Sequence, residues 1–171
     1  MSLATTCPAI RRMAILTGGG DCPGLNAVIR AVAKDAFHCE IDVYGVEDGY
    51  QGLVENRFRQ LKPEDLSGIL RRGGTILGSN NRANPSKFVV GKNPDGTPKF
   101  KDLTEDCLRH LQSRKIEAMV IIGGDGTMTS AAWFAKQGIA VVGVPKTIDN
   151  DIMGSEITFG FQTAVDTATD A

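Results

Sequence analysis

Short apolar runs alternate with stretches of helical periodicity along most of the chain, and this alternation restricts the possible folds more than any other feature. The runs have the length and β-branched content of buried strands and occupy residues 12–17, 41–49, 117–124 and 139–144. The other stretches carry apolar residues at helical spacing and occupy residues 23–37, 63–74, 102–116 and 127–138. The pattern therefore predicts strands and helices in regular alternation.

Strands that alternate with helices form parallel sheets covered on both faces, because a helix is the usual connection between two parallel strands. We therefore predict an α/β fold with a doubly wound, mostly parallel sheet and helices on both faces, a Rossmann-like three-layer sandwich, in residues 12–171. An N-terminal extension at residues 1–11 precedes this domain. The polar stretch at about residues 79–102, which NPSK and NPDGTP punctuate, is predicted to be an inserted loop or hairpin.

The composition excludes several classes of partner. With 19 basic and 20 acidic residues, the 171-residue chain has a net charge of -1, which favours neither nucleic acid nor an anionic membrane. It lacks the roughly 20 consecutive apolar residues of a membrane span and the apolar core of a signal peptide. Its 4 cysteines are irregularly spaced, which is untypical of a zinc site or a disulfide framework. We expect a cytoplasmic protein with reduced thiols.

Three of the predicted strands end in loops that are rich in glycine or in charge. These loops are TGGGDCPG (17–24), GGDGT (123–127) and VPKTIDND (144–151). In open parallel sheets, ligands bind beyond the carboxyl ends of the strands, so the three loops are predicted to share one crevice.

Glycines in the first two loops favour the binding of phosphate. Residues 18–20 let backbone N–H groups approach an anion in front of a helix N-terminus, although a plain strand-to-helix turn would use the same glycines. In the second loop, glycines bracket Asp125, and a carboxylate there is suited to a hydrated Mg²⁺ that bridges nucleotide phosphates. The alternative is a turn in which Asp125 caps the next helix, which would begin at Thr127.

The third loop concentrates groups that suit phosphoryl transfer. Asp149 and Asp151 lie two residues apart, so in extended backbone both carboxylates would face one side, an arrangement that suits a general base beside a metal-linked phosphate. Lys146 offers a compact cation for phosphoryl oxygens, and the Thr147 hydroxyl can donate to the same group. A solvated turn with aspartate caps is the alternative for this segment.

Taken in order, the motifs TGGGDCPGLNAVIR, DGYQGL, RRGGTILGS, IIGGDGT and PKTIDND closely resemble the N-terminal part of 6-phosphofructokinases, over nearly the whole chain. The resemblance implies transfer of a phosphoryl group, with Mg²⁺, from ATP to the 1-hydroxyl of fructose 6-phosphate in glycolysis. It also implies a cytoplasmic homo-oligomer, since relatives are commonly homo-oligomers and some of them are allosteric.

The resemblance assigns roles to residues at the motif positions. Asp149 is implied as the base that takes the sugar hydroxyl proton, with Thr147, Asp151 and Lys146 beside it at the reacting centre. The residues implied in binding the donor phosphates are Gly19, Arg82, Gly124, Asp125, Gly126 and Thr127, of which Asp125 is the magnesium-linked residue. One or two extra residues precede Arg82 in GSNNR, so Asn81 is the alternative for that aligned position.

Two residues disagree about the phosphoryl donor. Gly126 resembles the ATP-using members, and a carboxylate at that position would crowd and repel the α-phosphate of ATP. Lys146 resembles the pyrophosphate-using members but is compatible with either donor. We therefore expect ATP, with pyrophosphate as the alternative.

Relatives continue beyond the equivalent of residue 171 into a second domain that binds the sugar phosphate. We therefore expect this chain to be the N-terminal part of a longer enzyme and to be inactive alone. Two further alternatives are a nucleotide-binding fragment without turnover and a lipid or dinucleotide kinase, since kinases of those classes also carry GGDGT.

Overall fold

The computed structural model describes residues 10–171. Residues 1–9, which include Cys7 and most of the predicted N-terminal extension, lie outside the described residues. The strands are β1 Arg12–Thr17, β2 Asp42–Val46, β3 Phe58–Gln60, β4 Phe88–Lys92, β5 Pro98–Lys101, β6 Ala118–Gly123, β7 Ala140–Thr147 and β8 Phe159–Gly160. The α-helices are α1 Leu25–His38, α2 Tyr50–Val54, α3 Thr104–Ser113, α4 Asp125–Lys136 and α5 Phe161–Asp170.

Six of these strands form one sheet in the order β3-β2-β1-β6-β7-β8. All neighbouring pairs are parallel except β2 with the edge strand β3. The predicted, mostly parallel sheet is confirmed, whereas the short elements α2, β3 and β8 were not predicted, because runs of two to five residues carry too little periodicity to be recognised.

Helices cover both faces of the sheet, as the alternation predicted. On one face, α1 buries Leu25 and Ile29 against strand residues that include Ile15 and Val120. On the other face, α2, α3 and α4 bury a cluster that includes Leu53, Leu111 and Phe134. The strand side chains alternate between these two clusters, since successive residues of a strand point to opposite faces.

The helix predicted at residues 63–74 is wrong. The chain there makes one 3₁₀ turn, Pro63–Leu66, after which Ser67 is extended and Gly68 has a φ of 71°. The following segment is held instead by Asn26, which is 1% exposed. Its side-chain amide donates to the carbonyl of Arg72 at 3.0 Å and accepts from the N–H of Ile76 at 2.8 Å. These tertiary hydrogen bonds replace the helical ones that the local pattern predicted.

Residues 79–102 contain an antiparallel hairpin of β4 and β5, which does not join the main sheet. Among the described residues, no helix is both long enough and apolar enough to cross a membrane.

The apolar run at residues 139–144, which leads into β7, was predicted to be a buried strand, and this prediction is wrong for part of it. Val142 is 61% exposed, although its partner on β6, Val120, is 9% exposed. The helix α1 packs against β1, β2 and β6, and α5 buries none of its own residues. Part of β7 is therefore apolar in sequence but is not covered by the described residues.

Candidate active site

The three predicted loops meet at one cleft of about 530 Å³. They meet because β1, β6 and β7 are parallel neighbours, so that their carboxyl ends lie side by side. Every residue to which the family resemblance assigned a role lines this cleft, namely Gly19, Arg82, Gly124, Asp125, Gly126, Thr127, Lys146, Thr147, Asp149 and Asp151. Asn81, the alternative to Arg82, lines it as well.

The glycines after β1 have two different tasks. Gly18 packs against Thr127, because a Cβ at that position would lie 2.6 Å from the threonine methyl group. Gly123 meets the same side chain from β6, also at 2.6 Å. Only Gly19 and Gly20 face the cleft, and Gly19 has a φ of 77°, which glycine adopts without strain. The phosphate-approach interpretation thus fits Gly19 and Gly20 and does not fit Gly18.

The helix α4 begins at Asp125, two residues before the predicted start. Residues 124–127 line the cleft at the N-terminus of α4, where the first N–H groups of a helix have no partner within it and favour an anion. The Tyr50 hydroxyl donates to the carbonyl of Thr127 at 2.8 Å and so holds the first turn of α4 in place. Burial raises the pKa of Tyr50 above its ordinary value of 10.0, so its hydroxyl stays protonated and can donate well beyond neutral pH.

Lys146 is 4% exposed, and its ammonium group donates to the carbonyl of Gly20. A Cβ on Gly19 would lie 3.4 Å from the same nitrogen. The lysine therefore ties the end of β7 to the glycine loop and places a positive charge next to it.

Cys22 lies in this loop. Burial raises the pKa of its thiol, and this effect is larger than the opposing effect of the Lys146 charge. A reactive thiolate at Cys22 is thus disfavoured.

The backbone after β7 turns and is not extended, so the argument that placed both carboxylates on one side of a strand is wrong. Asn150, between the two aspartates, has a φ of 53°. Its side-chain oxygen accepts from the N–H of Thr158 at 2.9 Å, which fixes the turn. Asp149 and Asp151 nevertheless both line the cleft. The Asp149 N–H donates to the Thr147 hydroxyl oxygen at 3.2 Å, which holds the backbone of Asp149 against the threonine side chain.

Arg82 reaches the cleft from the loop before the hairpin. The side-chain oxygen of Asn80 accepts from the N–H groups of Arg82 and Ala83 at 2.7 and 3.0 Å. Among the described residues, the guanidinium group of Arg82 has no hydrogen-bond or ion-pair partner. It is therefore available to an anion.

Sequence reasoning missed several residues of the cleft, among them Asp21, Tyr50, Asn80 and Ser130. Tyr50 is part of the DGYQGL motif and could have been found there, whereas nothing in the sequence marks Ser130.

A second cleft of about 510 Å³ adjoins the first and shares Asn84 and Ser130 with it. Its lining includes Trp133, Phe134, Lys136 and the hydroxyl residues Ser86, Thr104 and Thr129.

The residues present fit a magnesium ion that is shared with a phosphorylated ligand. Asp125 is exposed at the mouth of the cleft, and the described residues contain no group of three or more acidic, histidine or cysteine side chains that could form a metal cage. Mg²⁺ commonly keeps several waters and binds through one or two carboxylates together with substrate phosphates, so a cage is not required.

Comparison with known proteins gives consistent results. The chain matches the family described as phosphofructokinase over residues 12–171. ATP-dependent 6-phosphofructokinase 2 of Clostridium perfringens is 49% identical over 163 residues, which are 95% of this chain and 44% of that protein. ATP-dependent 6-phosphofructokinase of Spirochaeta thermophila is 45% identical over 165 residues, again 44% of its length. The chain thus spans less than half the length of these curated relatives.

Solved structures share the fold. Phosphofructokinase from Saccharomyces cerevisiae has a TM-score of 0.78 at 28% identity and covers 94% of this chain and 23% of its own. A pyrophosphate-dependent phosphofructokinase from Marinobacter aquaeolei has a TM-score of 0.69 at 17% identity over 94% of this chain and 42% of its own. The second likeness concerns the fold alone.

Proposed function

The chain belongs to the phosphofructokinase family, and from this premise we propose that it forms the donor-binding and base-bearing part of an enzyme that phosphorylates fructose 6-phosphate at the 1-hydroxyl. The donor is ATP with Mg²⁺, and the product is fructose 1,6-bisphosphate. One observation carries the proposal: glycine N–H groups, a helix N-terminus, a lysine, an arginine and four aspartates converge on a single cleft.

The base of the proposed reaction is Asp149. It lies at the end of β7, exposed to the cleft and hydrogen-bonded through its N–H to Thr147. There it accepts the proton of the sugar hydroxyl while that oxygen attacks the transferred phosphorus. Thr147 and Asp151 line the same cleft and orient the sugar.

The donor phosphates bind at the N-terminus of α4 and at the glycine loop. The backbone N–H groups of Gly19 and of residues 124–127 stabilise phosphate charge, as fixed dipoles do without reorganising. Asp125 would hold Mg²⁺, which supplies neutralisation of the charge on the donor phosphates. Lys146 acts from beneath the loop, because its ammonium group already binds the carbonyl of Gly20.

Three observations favour ATP over pyrophosphate. The second cleft offers the indole ring of Trp133 and hydroxyl groups beside the phosphate site, which a nucleoside needs and a bare pyrophosphate does not. A Cβ on Gly126 would meet nothing within 4 Å, so this glycine is not required for packing and leaves room in the cleft. The 45–49% identical relatives described above are also named as ATP-dependent.

Pyrophosphate is the second candidate donor. Lys146 favours it, because a buried ammonium group under the glycine loop adds positive charge for a ligand that has no nucleoside to bind.

We also propose, from the family resemblance, that the longer enzyme is a cytoplasmic homo-oligomer of glycolysis. The described residues alone are expected to bind the donor without turnover, because the sugar-phosphate side of the site comes from the remainder of such enzymes. No nucleic acid or membrane is expected as a partner.

The experiment joins residues 12–171 to the part of the Clostridium perfringens relative that follows its matched segment. Formation of fructose 1,6-bisphosphate is followed in a coupled assay with MgATP and magnesium pyrophosphate in parallel. Turnover with ATP alone is expected. Turnover with pyrophosphate alone would overturn the choice of donor. Phosphorylation of a lipid or of NAD, but not of fructose 6-phosphate, would overturn the proposed acceptor.

A further inference from the structure

The side chain of Asn80 connects the loop that carries Arg82 to the helix α2. Its oxygen accepts from the N–H groups of Arg82 and Ala83, and its amide nitrogen donates to the side-chain oxygen of Gln51 at 2.5 Å. The first pair of hydrogen bonds closes a local turn around Asn80. The third attaches this turn to α2, 29 residues earlier in the sequence.

The attachment point on α2 is itself held in place. The amide nitrogen of Gln51 donates to Glu55 at 3.1 Å, and Glu55 accepts from Arg57 at 2.8 Å. Arg57 in turn donates to Asp48 at 2.8 Å, so that a polar chain runs along the corner between β2 and β3. Buried Leu53 fixes α2 against the core. Asn80 is therefore bound to a rigid element.

Arg82 has no such support of its own. Its side chain is exposed, and its guanidinium group makes no hydrogen bond or ion pair among the described residues. The position of this group in the cleft thus depends on the backbone of the loop, and the Asn80 side chain holds that backbone at Arg82 and at the following residue.

We propose that Asn80 is a positioning residue for phosphoryl-donor binding, which holds Arg82 towards the donor phosphates by fixing its backbone to α2. The inference rests on the proposed function, in which Arg82 binds those phosphates. Ordering the loop in advance removes an entropy cost that the donor would otherwise meet on binding. Loss of Asn80 should therefore weaken donor binding through Arg82 and not through the fold.

The test is a double-mutant cycle on the chain, with Asn80→Ala, Arg82→Ala and the double variant. The affinities for MgATP and for magnesium tripolyphosphate, which has the same phosphates without the nucleoside, are measured by titration calorimetry. Asn80→Ala is expected to weaken both ligands roughly 3- to 10-fold, the cost of one or two groups left unordered. In the Arg82→Ala background the same substitution is expected to have no effect, because the group it positions is absent.

Asn93→Ala is the matched control. Asn93 is also a turn asparagine, whose amide donates to the Thr97 hydroxyl at 3.0 Å, but it lies in the hairpin and lines no part of the cleft. It is expected to leave both affinities unchanged. Asn80→Ser keeps a shorter acceptor for the same turn and is expected to bind more tightly than Asn80→Ala. This variant also tests the proposal if Asn80→Ala does not fold.

The outcomes separate the inference from the proposed function. If Asn80→Ala costs the same factor with and without Arg82, or costs nothing, the positioning role is overturned while donor binding stands. If Arg82→Ala alone leaves both affinities unchanged, the donor role of Arg82 and the positioning role fall together. If the unmodified chain binds neither ligand, the proposed function itself fails.

Discussion

Replacing Gly126 by aspartate should weaken the binding of ATP, the proposed donor, without harming the fold. A Cβ at position 126 would meet nothing within 4 Å, so the new side chain enters open space. The position lies in the first turn of α4, where a carboxylate stabilises a helix by about 0.3–1 kcal/mol through its dipole. The melting temperature of Gly126→Asp should therefore be equal to or slightly above that of the unmodified chain.

The substitution should instead weaken the binding of MgATP. One carboxylate charge and one phosphate charge about 6 Å apart repel by about 2.8 kcal/mol at an effective dielectric constant of about 20. That energy corresponds to about 100-fold weaker binding, since about 1.4 kcal/mol is tenfold in affinity. Titration calorimetry with MgATP measures this loss directly on the chain. Added salt should reduce the loss, because the position is exposed and the repulsion is screened.

Two neutral variants separate charge from size. Gly126→Asn has nearly the shape of Gly126→Asp without its charge, and Gly126→Ala adds only a methyl group. Both should keep most of the affinity for MgATP. If Gly126→Asp binds MgATP as tightly as the unmodified chain, the electrostatic reasoning is refuted. If Gly126→Asn loses as much affinity as Gly126→Asp, steric exclusion and not charge decides the donor.

Other substitutions test the remaining parts of the site and its support. In the chain joined to the remainder of the Clostridium perfringens relative, Asp149→Asn should lower turnover by roughly 10² to 10⁴ while MgATP affinity changes little, as loss of a general base does; unchanged turnover would remove Asp149 from that role. Gly123→Ala places a methyl group 2.6 Å from Thr127 and should destabilise the chain by about 1–3 kcal/mol in urea unfolding; an unchanged midpoint would contradict the packing argument. The raised pKa of Cys22 leaves less thiolate at a given pH, so iodoacetamide should modify this residue more slowly at pH 8 in the folded chain than in urea, as peptide mass spectrometry can measure. Two backbone N–H groups at the start of β1 lower the pKa of Glu117, so its contribution to stability is present above the ordinary value of 4.5 and is lost as the pH falls through the lower folded value; Glu117→Gln should melt below the unmodified chain at pH 7, and the difference should vanish in acid.

Much of the candidate site could be predicted from the sequence because its loops follow directly on strands. GGDGT and PKTIDND come after apolar runs whose strand character is local, and the carboxyl ends of parallel strands meet at one edge. Contacts between distant residues could not be predicted in this way. Ser130 lies in a helix with no motif to mark it, and the bond from Asn80 to Gln51 spans 29 residues.

The errors have the same origin. Residues 63–74 have helical periodicity, yet Asn26 from α1 binds their backbone and keeps it irregular. The two aspartates after β7 would alternate in an extended chain, yet Asn150 is held in a turn by Thr158. In both cases a buried or partly buried side chain supplies hydrogen bonds that outweigh a weak local preference.

The sequence by itself determined the alternation of strands and helices, the parallel sheet and the identity of the loops at its edge, because these depend on periodicity and on the order of elements along the chain. Only the tertiary structure decided which glycines serve packing and which face the cleft, where Lys146 places its charge, and how Arg82 is held. Those properties depend on contacts between residues far apart in the chain, and no local pattern encodes them.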